Sequence, residues 1–390
     1  MHLELRIVMT IEEIIFWAAA ILLAYTYAGY PLFIWGRAAL GRRPVARADI
    51  LPAVSVLVIV HNEENCIEDR IQNLLDLDYP RERLEIVIAS DASTDNTVPL
   101  AQRFQNATVK VIPFSAHRGK PSVLNQLVPV LEGEIAVLMD VRQRVERSAL
   151  RALVSNFCDP RVGAVSGELI LEDGPDSSEV GSGLGAYWRY EKFIRHNESR
   201  VDSSVGATGA FYGLRRRLFT SIPSDTLIDD MLIPMLIVKK GYRVLFEPDA
   251  RAFDRVSATA EAEFVRKVRT IAGNFQLLFR HRWLLNPVSN RLWLQTISHK
   301  FFRLLGPLCL GAVFVSNLLL LDQPFYDVTM ALQILFYAAS MAGRRIRHSQ
   351  HGSKLVNVPY AFCLLNWATV MGFSRFIRGQ QQITWQKAKT

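Results

Sequence analysis

The stretch Ile11 to Trp35 is apolar enough to cross a bilayer as one helix, and three more apolar stretches, Leu304 to Leu321, Val328 to Ala342 and Val356 to Phe373, close the chain. Backbone inside lipid has to satisfy its own hydrogen bonds, so both ends of the chain are confined to helix. The long middle must fold in water. Trp17, Tyr25, Tyr27, Tyr30 and Trp35 are placed as interface anchors. Glu12 and Glu13 stand at the start of this stretch and no small-residue cleavage site follows it, which argues against a removed signal peptide. Arg37, Arg42, Arg43 and Arg47 come next, and the positive-inside rule then puts the middle of the chain in the cytosol.

At the other end, Asp322 to Asp327 contains two acids and neither Lys nor Arg. The following loop is basic and includes Arg344-Arg345-Ile346-Arg347. This alternation is that of a hairpin entering from the cytoplasm. Arg375, Arg378, Lys387 and Lys389 lie beyond the last stretch, where a four-span count would put them outside. Either Val356 to Phe373 does not fully cross, or another segment is only interfacial. Glu261 to Trp293 is basic and aromatic, with Arg266, Arg269, Phe275, Phe279, Trp283 and Trp293. It reads as one or two helices in the membrane interface, or as an ordinary amphipathic surface helix.

The net charge of +8 fits an anionic membrane face. Nucleic acid is not expected, because the strands lack interleaved aromatic and basic residues. Four cysteines, Cys66, Cys158, Cys309 and Cys363, form no CxxC pair and imply neither a zinc site nor a disulfide framework.

Between Ala53 and Val165 apolar strands alternate with helices. Strands are expected at Val54–Val60, Leu84–Ala89, Val109–Pro113 and Ile135–Met139, with helices at Glu63–Leu77, Asp95–Phe104 and Pro121–Leu131. That spacing predicts an α/β domain with a parallel, doubly covered sheet. Further strands fall near Ala164–Leu171, Ala210–Leu214 and Arg243–Phe246, and helices at Gly183–His196 and Ile228–Lys239. The expected organisation is 1–43 for the first membrane helix and its basic flank, 44–260 for the cytosolic domain, 261–303 for interfacial helices and 304–390 for the final membrane segments.

Open α/β sheets bind ligands at the C-terminal ends of their strands. The first such turn, "VIVHNEEN", has neither a G-x-G-x-x-G nor a P-loop pattern, and carries His61, Asn62, Glu63 and Glu64 instead. "IASDASTDNT" places Asp91 at a strand edge, a ligand candidate, and Asp95 where it would cap the next helix. "HRGKPSVLNQ" sets Lys120 beside the free N–H groups of a helix start, a phosphate site, with Asn125 one turn on. "AVLMDVRQRV" ends a buried strand at Asp140, with Arg142 two positions later. On their own terms Asp229-Asp230 are a helix-start pair complementing the helix dipole.

In order, "PAVSVLVIVHNEEN", "VIASDASTDNT", "RGKPSVLN", "LMD", "GATGAFYGLRR", "IDDMLIPMLIVKKGYRV" and "RKVRTIAGNFQ" resemble the family 2 glycosyltransferases, the membrane-bound group that includes cellulose, hyaluronan and chitin-oligomer synthases. The resemblance runs from about Pro52 to Gln276. It implies a GT-A fold, a Rossmann-like and mostly parallel sheet, with a nucleotide-sugar donor, Mg²⁺ or Mn²⁺, and inversion at the anomeric carbon. Carried over, Glu63, Asp91 and Lys120 would bind the donor. Asp140 would be the first acid of the family's D-x-D motif and the metal ligand. Gly206 to Gly213, with Gly209, would line the acceptor side. Asp229-Asp230 would match the E-D pair, Asp230 being the general base. Arg266 to Thr270 would match Q-x-x-R-W, with Arg266 and Arg269 near the diphosphate and acceptor.

Three positions depart from the pattern. Arg142 replaces the second acid, Arg266 replaces Gln, and Thr270 replaces Trp. The lost Trp belongs to the acceptor gate of polymer synthases, so processivity is not implied. Arg142 either neutralises donor phosphate or pairs with Asp140, Asp229 or Asp230. The implied enzyme is an integral membrane protein with a cytosolic catalytic domain. It would build exopolysaccharide or a lipid-linked glycan from a donor, in first expectation a UDP-sugar, with membrane lipids around it. Four apolar segments are few for a polymer channel, which leaves room for an oligomer or export partner. The competing reading is a transporter or receptor with a cytosolic nucleotide-sensing domain. The near absence of ionisable residues in the apolar stretches speaks against it.

Overall fold

The structure is a computed structural model that describes residues 9–172, 180–255, 260–346 and 354–380. Arg347, Lys387 and Lys389 of the expected basic flanks lie outside the described residues. The strands are β1 Val54–Val60, β2 Leu84–Asp91, β3 Val109–Phe114, β4 Ile135–Met139, β5 Arg144–Val145, β6 Val162–Glu172, β7 Phe211–Arg215 and β8 Arg243–Arg255. They form one sheet in the order β3-β2-β1-β4-β7-β6-β8-β5. Pairs β1–β2, β2–β3, β1–β4 and β6–β8 are parallel, while β7 and β5 run antiparallel to their neighbours.

The helices are α1 Ile11–Leu40, α2 Ile67–Leu75, α3 Thr97–Gln102, α4 Lys120–Leu127, α5 Ala149–Ser155, α6 Val180–Val201, α7 Asp229–Lys239, α8 Ala260–Arg280, α9 Trp293–Leu304, α10 Gly306–Leu319, α11 Pro324–Ile346 and α12 Lys354–Ile377. Every residue of β1 is buried, because helices cover both faces of a parallel strand. Val54, Val56, Val58 and Val60 join one core, and Leu57 and Ile59 the other. The expected mostly parallel, Rossmann-like sheet is therefore present. Two features differ from expectation. β5 is only two residues long, too short to show a pattern. β8 continues past Phe246 through Glu247-Pro248-Asp249, where polar residues break the apolar run and the register against β6 shifts.

α1, α11 and α12 are each long and apolar enough to cross a membrane. The apolar stretch expected at Leu304–Leu321 is α10, which is 14 residues long and turns 58° from α9, the helix before it. Pro307 can donate no hydrogen bond there, and Gly306 is pressed against Asn366, leaving no room for a Cβ. α8 is more than a surface helix: Val268, Ala272 and Leu277 are buried, and Phe275 packs 4.9 Å from Phe373 of α12.

A buried polar cluster ties the membrane helices to the α/β domain. His299 of α9 lies between two carboxylates of α6, with Nδ1 2.9 Å from Glu198 and Nε2 3.0 Å from Glu191. Tyr30 of α1 donates to Glu198 at 2.6 Å, and Lys300 and Arg303 each donate to Glu191 at 2.8 Å. Glu198 and His299 are fully buried. Opposite charges in such a place are retained only when paired and hydrogen-bonded.

Candidate active site

The C-terminal ends of β1, β2 and β4 open onto one cleft, and α7 begins at its edge. Asp140 follows β4 directly, and its N–H donates to the Ala210 carbonyl at 3.3 Å, which holds it beside the start of β7. Lys120, the first residue of α4, extends from Gly119, whose φ of +81° suits glycine. Its Nζ is 3.1 Å from Asp140 Oδ1 and 3.6 Å from Asp229 Oδ2. One ammonium therefore bridges two carboxylates from different elements. Burial works against that charge, but Asp140, Asp229 and Asp230 outweigh it and raise the Lys120 pKa.

Asp230 responds in the opposite sense. Burial, then the charge of Asp229, pushes its pKa up to about 6, against the pull of Lys120 and Arg195. Its carboxylate faces Gly209: a Cβ there would lie 3.1 Å from Asp230 Oδ2. The Asp230 carbonyl accepts from Ala207 N–H at 2.8 Å, so the 206–209 turn and the start of α7 fix each other. Asp229 is buried, and its Oδ2 has no hydrogen-bond partner among the described residues.

Arg142 pairs with neither Asp140 nor the Asp229-Asp230 couple. Its Nη2 donates to Glu63 Oε1 at 3.0 Å, which corrects the expected structural partner. The reason lies in the loop: Arg70, buried, donates to the Gln143 carbonyl at 2.7 Å and turns the segment after Asp140 toward the β1 end. Burial lowers the Arg70 pKa to about 10, although Asp140 opposes the shift. Glu63, 5% exposed, is thereby an ion-pair partner as well as a donor-side candidate.

Asp91 holds a loop. Its carboxylate accepts from the N–H groups of Arg118 at 2.7 Å and Gly119 at 2.8 Å, and His117 Nδ1 lies 2.9 Å away. With 2% of its surface exposed, it positions the Lys120 turn rather than facing the cleft. Asp95, expected to cap the next helix, stands one residue before the N-cap, Asn96, and accepts from Thr97 N–H at 3.0 Å. Asn125 does not face the cleft; it clamps Ile222, accepting from its N–H at 2.9 Å and donating to its carbonyl at 2.7 Å.

Arg266 and Arg269 lie on α8. Arg266 is half exposed and pairs with Glu263 of its own helix at 3.1 Å. Arg269 is half-buried one turn before Gly273, which touches Ile228, the residue preceding Asp229. Gln276 secures this contact, accepting from Leu227 N–H at 3.0 Å and donating to the Asp225 carbonyl at 2.8 Å.

Three features escaped the sequence reading. His61 and His117 stack with ring centroids 4.2 Å apart beside the Asp91 backbone. Tyr212 of β7 is fully buried with its hydroxyl unpartnered among the described residues; burial, then Asp229, Asp230 and Asp140, raise its pKa. Arg195 of α6 sends its charge to Asp230. The histidines were visible at two strand ends; the other two lay in apolar or helical context without a motif.

Among the described residues no group of three or more His, Cys, Asp or Glu could hold a metal ion by itself. Asp140, with the orphaned Asp229 Oδ2 nearby, nevertheless offers the hard oxygen donors suited to a Mg²⁺ or Mn²⁺ ion that brings diphosphate and water as its other ligands. The residues fit such an ion.

The family model described as Glycosyl transferase family 2 matches residues 55–222. Poly-beta-1,6-N-acetyl-D-glucosamine synthase of Staphylococcus aureus (strain MSSA476) is 26% identical over 254 residues, 63% of this chain and 60% of the relative. The chain thus matches about 60% of the length of this relative. The probable glycosyltransferase YdaM of Bacillus subtilis (strain 168) is 23% identical over 309 residues, 73% of this chain and 70% of that protein. Among solved structures, the mannosyltransferase PcManGT from Pyrobaculum calidifontis, in complex with GDP-Man and Mn²⁺, superposes with a TM-score of 0.69 at 21% identity, covering 94% of this chain and 99% of the other. The fold is therefore the GT-A fold with membrane-type helices at both ends. With the motifs in order and the sheet built as they require, residues 55–222 of this chain are similar to glycosyl transferase family 2.

Proposed function

We propose that the chain is a membrane-bound glycosyltransferase. It moves a sugar with inversion from a nucleoside-diphosphate donor, in first choice a UDP-sugar, to a glycan or lipid-linked acceptor during cell-surface polysaccharide synthesis. One observation carries the reading: Lys120 bridges Asp140 and Asp229 at the ends of the parallel strands, immediately beside Asp230. The names of the relatives, one a polysaccharide synthase and one bound to GDP-Man and Mn²⁺, support it.

In this mechanism an acceptor hydroxyl attacks the anomeric carbon from the face opposite the diphosphate. Its proton passes to the Asp230 carboxylate as the new C–O bond forms. The bond between the anomeric carbon and the diphosphate oxygen breaks, and the electron pair leaves with the nucleoside diphosphate. A base with a pKa of about 6 is ionised at neutral pH yet basic enough to accept the proton. Lys120 offsets charge on the leaving group, with Arg269 as a further candidate. Asp140 would hold Mg²⁺ or Mn²⁺, which when bound supplies positive charge beside the departing diphosphate. Glu63 and the His61–His117 stack would border the base and ribose. Gly209 leaves the space in which the acceptor meets Asp230.

The catalytic domain is assigned to the cytosol, in keeping with Arg37, Arg42 and Arg43 after the first apolar stretch. α12 ends against α8 so closely that a Cβ at Gly372 would overlap Ile271. That contact supports a final helix whose basic end stays on the cytosolic side.

The test is nucleoside diphosphate release by the purified full chain in nanodiscs, screened over UDP-, GDP- and dTDP-sugars. One donor should be turned over. Asp230→Asn should retain nucleotide binding and lose about 10²- to 10⁴-fold in transfer. No release from any donor, or full activity in Asp230→Asn, overturns the reading. Insensitivity to chelator removes the metal from it.

A further inference from the structure

Where α1 ends, the chain runs across the edge of the sheet opposite the cleft. The Arg43 N–H donates to the Arg200 carbonyl, in the last turn of α6, at 2.9 Å. The Arg43 carbonyl accepts from Arg243, the first residue of β8, at 3.2 Å. β8 runs in the direction of β4, through β6 and the antiparallel β7, so this corner lies across the sheet from Asp140. α6 also packs along α1, with Ile194 against Tyr30 and Ile34. Arg37 of the last turn of α1 reaches the same place: a Cβ on Gly41 would lie 3.7 Å from its Nη1. Arg37, Arg42 and Arg200 are thus gathered at one corner.

The acids of this corner are already taken. Asp202 pairs with Arg43 at 2.9 Å and Arg291 at 3.3 Å, Glu247 with Arg47 at 2.8 Å, and Asp159 with Arg161 at 2.7 Å. The side chains of Arg37, Arg42 and Arg200 have no hydrogen bond or ion pair among the described residues. Two of the three feel each other. Partial burial, then the charge of Arg42, lowers the Arg200 pKa. Burial, then Arg200, lowers that of His196, one turn earlier on α6, and Arg42 acts in the same sense. Like charges gathered without a counter-ion repel, and guanidinium groups are suited to phosphate oxygens. The helix also says where such a phosphate would come from. With 30 residues, α1 is about 45 Å long, the thickness of a bilayer with its headgroup layers. Its last turn therefore lies at headgroup level, and there Trp35 and Leu40 are 52 and 87% exposed. An anion that meets these arginines meets apolar surface beside them.

We infer that Arg37, Arg42 and Arg200 bind the phosphate of an acidic phospholipid in the leaflet that α1 reaches at Leu40. The site takes neither donor nor acceptor, and it rests on α1 crossing the bilayer rather than on the sugar chemistry. Because Arg43 ties this corner to α6 and β8, the bound lipid fastens the α/β domain, and not α1 alone, to the membrane surface. A soluble phosphate ester would share the headgroup chemistry without the tails.

Native mass spectrometry of the full chain in detergent, titrated with phosphatidylglycerol, phosphatidylcholine or glycerol phosphate, reads this site. The first phosphatidylglycerol should bind about tenfold or more tightly than phosphatidylcholine, since each arginine near an anionic headgroup adds severalfold. Arg42→Gln combined with Arg200→Gln should remove that preference. Arg42→Lys combined with Arg200→Lys should keep most of it, because the charge stays. Arg344→Gln combined with Arg345→Gln, at the basic end of α11, should leave it unchanged. Arg42→Gln breaks no bond, so without lipid it should melt no lower than the wild type, whereas phosphatidylglycerol should raise the wild-type melting temperature more. Equal binding of the two lipids, a preference that survives the Gln pair, or the same loss from the Arg344 and Arg345 pair overturns the inference. So does a lower lipid-free melting temperature in Arg42→Gln, which would mean that the side chain serves the fold. Glycerol phosphate binding as tightly as phosphatidylglycerol overturns the lipid source.

Discussion

Asp230, the proposed general base, is held in a state that costs stability at neutral pH. Its pKa of about 6 in the folded protein lies above the ordinary 3.8, so folding favours the protonated acid. The stabilisation from this group is complete below about pH 4 and is lost as pH rises through 6. Above pH 6, Asp230→Asn should therefore melt at a higher temperature than the wild type while its transfer activity is expected to be lost; a lower melting temperature would contradict the burial and repulsion described. Transfer by the wild type should fall on acidification with an apparent pKa near 6, read from a pH–rate profile. Arg142 makes a different case. It is the ion partner of the buried Glu63, so Arg142→Asp restores two acids at D-x-D spacing but sets like charges together. That variant should unfold at lower temperature than Arg142→Ala, and Glu63→Gln should narrow the gap in a double-mutant cycle. Asp140, Lys120, Asp229 and Asp230 were legible because strand ends and helix starts mark such positions. The partner of Arg142 was not, since it depends on how Arg70 turns a loop.

The segment that carries Asp229 and Asp230 owes its position to α8, which lies far along the chain. Gln276→Ala removes both side-chain bonds to the 225–227 segment and should loosen the start of α7. Transfer should drop severalfold with little change in nucleotide affinity, a split visible in kcat against donor KM. Gly209→Ala acts from the opposite wall: its methyl group would crowd Asp230 Oδ2 at 3.1 Å and should lower kcat more than stability. β1 and β4 matched their expected limits because burial on both faces makes an apolar run end abruptly. The tail of β8 and the two-residue β5 were not legible, since they exist by pairing with β6 and with each other. Nor could hydropathy reveal the bend between α9 and α10, where composition stays apolar and only Pro307 and the packing of Gly306 on Asn366 set the angle.

The contrast between apolar ends and an α/β middle is written in composition and visible in the sequence. The joint between them was not. Glu191, Glu198, His299, Lys300 and Arg303 look like ordinary polar residues until the fold buries them together. Tyr30→Phe removes the hydroxyl that donates to Glu198 at 2.6 Å and should cost about 1–3 kcal/mol, measured as a lower unfolding midpoint in detergent. The joint also imposes a timetable on synthesis. By the time Leu292 has left the ribosome, every strand of the sheet and every carboxylate of the candidate site exists, but Glu191 and Glu198 still await their partners from α9. The nascent protein must hold a nearly finished enzyme with two seam carboxylates short of their α9 partners until the last helices emerge. A chain stopped at Leu292 should therefore be degraded in cells and cleaved readily by protease in vitro, despite possessing the whole catalytic sheet.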